Sequence, residues 1–69
     1  SADPALQYCL GRIYEQSGEG SLAKECYACS VDLGGPSDAA TRLAEIMALE
    51  GQFERSVALY RGVLGQPAE

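Results

Sequence analysis

Leu10-Gly11 can be laid over Leu43-Ala44, Tyr14 over Met47, Gly18 over Gly51, Ala23 over Ser56, Tyr27 over Tyr60 and Ser30 over Val63, every pair 33 residues apart. A fixed period of this length constrains the chain strongly. Each unit has to be one supersecondary element that buries its apolar face against a neighbour, as in a helical solenoid. The residue types fit that reading. Small residues let two antiparallel helices approach closely, and aromatic or large aliphatic residues fill the space around them.

Glycine and proline divide the chain into four segments, at Ser17-Gly18-Glu19-Gly20, Gly34-Gly35-Pro36 and Gly65-Gln66-Pro67, with a lesser break at Gly51. Asp3 before Pro4 reads as an N-cap with proline in the first helical position. The spacing of Leu6, Leu10, Ile13 and Tyr14 then predicts a helix from about Pro4 to Ser17, with Gly18 past its end. A second helix is expected from a cap near Ser21, carrying Leu22, Ala23, Cys26, Tyr27, Ser30 and Val31 on one face. A third starts at Ser37, places Asp38 at the positive end of its dipole, and carries Ala40, Leu43, Ala44 and Met47. The fourth runs from about Gln52 to Leu64 with Phe53, Val57, Tyr60 and Val63, and Gly62 weakens its last turn by roughly 1 kcal/mol relative to Ala. No stretch alternates with period two. The expectation is one all-α domain over 1–69, made of two antiparallel helix-turn-helix units at 4–35 and 37–66. Leu10, Gly11, Tyr14, Ala23, Tyr27, Leu43, Ala44, Met47, Ser56 and Tyr60 are its expected packing residues.

Composition narrows the function. With 69 residues the chain buries only about 60% of the surface its unfolded form exposes, which disfavours a deep enclosed active site. There is no His, so the commonest general base and neutral metal ligand are absent. Ten acidic and five basic residues give a charge of −5, and Arg12, Lys24, Arg42, Arg55 and Arg61 are dispersed, which argues against nucleic acid. No apolar run approaches the roughly 20 residues of a membrane span, and none reads as a signal peptide, so no membrane insertion is expected.

The first unit reads Leu10-Gly11-Arg12-Ile13-Tyr14, followed by Gly18, Ala23 and Tyr27, and in this it resembles the tetratricopeptide repeat. Ser30 stands for the small residue of that pattern, and Pro36 falls within one residue of its terminal proline. Departures are Gln7 in the tryptophan slot, Gly20 in the turn aromatic slot, and Met47 and Ser56 in the second unit. The period is similar also to that of the Sel1-like repeat. Either resemblance implies a short right-handed α-solenoid of four helices, and two units read as a piece of a longer array or as a module that self-associates. It further implies that the first helix of each unit lines a concave groove holding a partner peptide or helix.

Chemistry-bearing motifs are few. Cys26-Tyr27-Ala28-Cys29 has the spacing of a redox pair or half a zinc site, but it lies away from a helix N-terminus and has no second ligand pair. Cys9, Cys26 and Cys29 read as reduced packing residues, which fits a reducing, cytoplasmic compartment. Glu15, Glu19, Glu25, Asp32, Glu45, Glu50 and Glu54 read as a solvated surface. Gly18-Glu19-Gly20 is too short and acidic to cradle a phosphate, and no calcium-binding loop is present. Neither a catalytic site nor a cofactor or metal site is expected.

Surface recognition remains. Tyr8, Arg12 and Gln16 on the first helix, with Ala5 nearby, and Thr41, Glu45 and Leu49 on the third, follow four-residue spacing and point away from the expected packing faces. These six are the expected groove residues, and the mixed Arg12, Thr41 and Glu45 surface suggests a neutral or mildly basic peptide. The leading expectation is a protein-protein interaction scaffold. A second is an oligomerisation or spacer module. A third, from a different class, is a thiol redox or metal-sensing helix pair using Cys26 and Cys29.

Overall fold

A computed structural model describes residues 3–64. Four helices follow one another, α1 (Pro4–Gln16), α2 (Gly20–Asp32), α3 (Ser37–Leu49) and α4 (Phe53–Leu64), and no strand occurs among the described residues. α1 packs on α2, α3 on α4, and α2 joins the two hairpins by packing on α3. No helix among the described residues is long and apolar enough to cross a membrane. The expected end of the second unit at residue 66, with the Gly65-Gln66-Pro67 break, lies outside the described residues.

The repeat seen in the sequence is a repeat of hydrogen bonds. In the α1–α2 turn, Glu19 donates its amide to the Tyr14 carbonyl at 2.8 Å, and in the α3–α4 turn Gln52 donates to Met47 at 2.8 Å. Gly18 and Gly51, at equivalent positions, both adopt φ of 84°, a left-handed conformation that closes the helix end and that glycine adopts without steric cost. The two turns therefore share one geometry.

Helix starts are less uniform. Asp3 caps α1 by accepting from the Ala5 amide at 2.9 Å, with Pro4 in the first turn. Ser21, expected to cap α2, lies inside it. The cap position is Glu19, whose side chain makes no capping bond, because the helix takes in Gly20. Each expected outer bound is within one residue of the observed one otherwise: α1 stops at Gln16 with Ser17 as its C-cap, and α4 starts at Phe53.

The core lies where α2 is held between α1 and α3. Tyr27 is fully buried there with Ala23 and Ala39, and Leu43 is 4% exposed; Ser30 and Ala44 are buried as well. Tyr8, Tyr14, Ala28, Val31, Ile46, Met47 and Leu59 pack around this centre. Gly11 is buried against the Tyr27 ring, Ser30 Oγ donates to the Pro4 carbonyl at 2.8 Å, and Ser56 Oγ donates to the Ala44 carbonyl at 2.8 Å. Small residues at 11, 30 and 56 thus set how closely paired helices lie. Leu10 departs from the expectation. It is 41% exposed, and Leu6 and Ile13 on the same stripe are each 60% exposed, since among the described helices α1 packs closely on α2 alone.

Candidate functional site

The α1–α3 side of the molecule carries a cluster of aromatic and charged side chains arranged around Tyr27. Tyr27 is planted on α2, and small residues at 11 and 23 leave room for its ring to pass between α1 and α3. Its hydroxyl emerges at the far side and donates to Glu15 Oε1 at 2.7 Å. Arg42, one unit further on, brings Nη1 to 3.9 Å from the same oxygen. The Tyr8 ring leans on the Tyr27 ring at 5.9 Å between centroids and 42° between planes, a tilted aromatic pair. The Arg12 guanidinium carbon sits 5.9 Å above the Tyr8 ring centre, one helical turn along α1.

Electrostatics follow from this geometry. Burial of Tyr27 disfavours the phenolate, and the hydrogen bond to Glu15 and its negative charge add to the effect, so the Tyr27 pKa is pushed far above its ordinary value of 10.0. Burial alone would lower the Arg42 pKa. The Glu15 carboxylate, then Tyr27, the hydrogen bond to Tyr8 and the charge of Glu45 outweigh it, and the guanidinium is held more firmly protonated than usual. Glu15 is therefore engaged from two sides. Arg12 has no carboxylate partner among the described residues, and its donors are available to a ligand.

Of the six expected groove residues, the structure brings Tyr8 and Arg12 into contact with one another. Tyr8 is half-buried, one side of its ring being used in packing. Thr41 turns its hydroxyl back to the Ser37 carbonyl at 3.3 Å, within α3. Glu45 is exposed and acts on Arg42 through its charge. Gln16 and Leu49 lie exposed at the C-terminal ends of α1 and α3, Leu49 at 89%. Glu15 and Arg42 were not among the expected site residues. Their pairing crosses between units, and no local spacing in the chain announces it.

The cysteines offer less. All three are free, Cys9 exposed and Cys26 and Cys29 half-buried. Desolvation, reinforced by Cys29 and Glu25, raises the Cys26 pKa, the opposite of an activated thiolate. No group of three His, Cys, Asp or Glu side chains among the described residues is placed to hold a metal ion. An open cleft of about 520 Å³ runs between α2, α3 and α4, lined by Val31, Pro36, Ala40, Leu59 and Val63. It is predominantly apolar and lacks charged side chains to orient a ligand.

No protein-family model matches the chain, and neither a curated protein nor a solved structure is significantly similar to it. The α1–α3 face is thus read from its own residues.

Proposed function

We propose that this chain is a tetratricopeptide-like protein-interaction module that holds a partner segment against the α1–α3 face, with Tyr8 and Arg12 as the principal contacts. The observation that supports this most directly is Arg12 held over the Tyr8 ring with no carboxylate partner among the described residues. Tyr and Arg are the residue types that most often dominate interface energy, and an anchored pair loses less side-chain freedom on binding than two mobile ones. Arg42 and Glu15, already paired, frame the site without competing for the ligand.

The partner chemistry follows from the unmatched guanidinium. A segment presenting one carboxylate to Arg12, with an apolar or aromatic residue beside Tyr8, satisfies the face better than the neutral or mildly basic peptide expected from the residue types alone. Selection of peptides on the immobilised chain, followed by calorimetry, tests the reading. Arg12→Ala should weaken a selected peptide at least tenfold, whereas Glu25→Ala, exposed on α2, should leave it unchanged. Selected peptides that bind Arg12→Ala and the parent chain equally well would overturn it.

A further inference from the structure

α3 buries two faces and α1 buries one. On α3, Ala39, Leu43 and Ile46 pack towards α2, and Ala44 meets α4 through the Ser56 hydroxyl. Their equivalents on α1, 33 residues earlier, are Leu6, Leu10, Ile13 and Gly11. Gly11 is buried, but Leu6, Leu10 and Ile13 are exposed, and they fall within roughly 60° of one another around the helix. On α4, Phe53 and Val57 are 65% and 48% exposed and share a shallow, mainly apolar depression with Glu54, Ala58 and Arg61. α4 is the repeat equivalent of α2, so the exposed faces of α1 and α4 correspond to the two halves of the α2–α3 junction that the described residues contain once.

The places where the two free faces depart from the internal junction match each other. Inside the molecule Lys24 pairs with Glu50 at 2.7 Å. The equivalent positions on the free faces are Val57 and Ser17, and the charge is absent from both sides. Inside, Ala28 and Met47 line one cleft. The equivalents are Arg61 and Tyr14, so a contact between the two faces would set a larger cation against an aromatic ring in place of a thioether.

We propose that copies of this chain assemble head to tail, the Leu6-Leu10-Ile13 face of α1 on one copy seating against the Phe53-Val57-Arg61 face of α4 on the next. The contact is heterologous, so it repeats and does not close at a dimer. It uses neither Tyr8 nor Arg12, and it stands apart from the peptide-binding reading.

Sedimentation velocity over a concentration series of the full chain should show a mean mass that rises past the dimer. Leu10→Glu blocks one face and Val57→Glu the other. Each variant alone should sediment as a monomer, and an equimolar mixture should form a one-to-one heterodimer that grows no further, since each contributes the face the other lacks. Leu6→Lys and Phe53→Lys repeat the test on the same faces should either glutamate variant lose its helical circular dichroism. A parent chain that is monomeric throughout the series would overturn the proposal. So would a Val57→Glu variant that still dimerises, which would indicate pairing of α1 with α1.

Discussion

Gly11 and Tyr27 occupy one space: a methyl group built on Gly11 would lie 2.6 Å from Cε1 and 2.7 Å from Cδ1 of the Tyr27 ring. The ring can cross between α1 and α3 because position 11 has no side chain. Gly11→Ala gains about 1 kcal/mol of helix propensity, but the overlap costs about 1–3 kcal/mol, because a buried aromatic ring between two helices has little freedom to retreat. A net loss of up to roughly 2 kcal/mol is expected in urea denaturation. Adding Tyr27→Leu should recover part of the clash and lose ring packing, so the two changes should be clearly non-additive.

The Tyr27 hydroxyl makes stability depend on alkaline pH. Its pKa is raised in the folded chain, so the neutral phenol is the form that folding favours. The stabilisation is fully present below the unfolded value of about 10 and is lost as pH rises from there towards the higher folded value. Tyr27→Phe, followed by thermal melts across that window, should flatten this part of the profile. At neutral pH the same variant should cost about 1–2 kcal/mol, because Glu15 loses a 2.7 Å donor. An unchanged alkaline slope in Tyr27→Phe would place the dependence on another group.

Much of the helical layout is legible in the sequence, for a physical reason. Gly18 and Gly51 end helices through a backbone conformation that is itself a residue preference, and Asp3-Pro4 starts one through a local bond. What spacing cannot convey is which stripe has a neighbour. Leu10 and Leu43 occupy one repeat position and look alike in the sequence, yet one is 41% and the other 4% exposed. The Glu15–Arg42 pair is invisible to spacing for a related reason: the two residues are 27 positions apart, and only the stacking of hairpins makes them adjacent. Ser21 has the side chain of a cap, yet α2 starts at Gly20, whose poor helix propensity places it outside the helix on local preference alone.

Cys26 should be a slow nucleophile. Desolvation, with Cys29 and Glu25 nearby, raises its pKa above the ordinary value, so the thiolate fraction at neutral pH is smaller than in a free cysteine. Cys9 is exposed and meets reagent without an opening step. Limited alkylation of the native chain, read by peptide mass spectrometry, should therefore modify Cys9 before Cys26. Preferential modification of Cys26 would revive the thiol-chemistry reading of the Cys26-Tyr27-Ala28-Cys29 segment.

Leu43→Ala and Leu10→Ala compare the same substitution at one repeat position in two environments. Leu43 is buried between α2 and α3, and truncating it leaves a cavity in the core, at a cost of about 2–5 kcal/mol. A domain this small has a total stability near the bottom of the usual 5–15 kcal/mol range, so Leu43→Ala should retain at most about 3 kcal/mol and show a much lower urea midpoint. Leu10 is part-exposed on α1 and has less to lose, so dilute Leu10→Ala should stay folded with a loss below about 1 kcal/mol. The difference should shrink as concentration rises if a second copy covers α1, because Leu10 then enters a junction like the one that buries Leu43. Urea midpoints at low and high protein concentration measure this directly: a Leu10→Ala penalty that grows with concentration follows from head-to-tail assembly, and one that stays constant contradicts it.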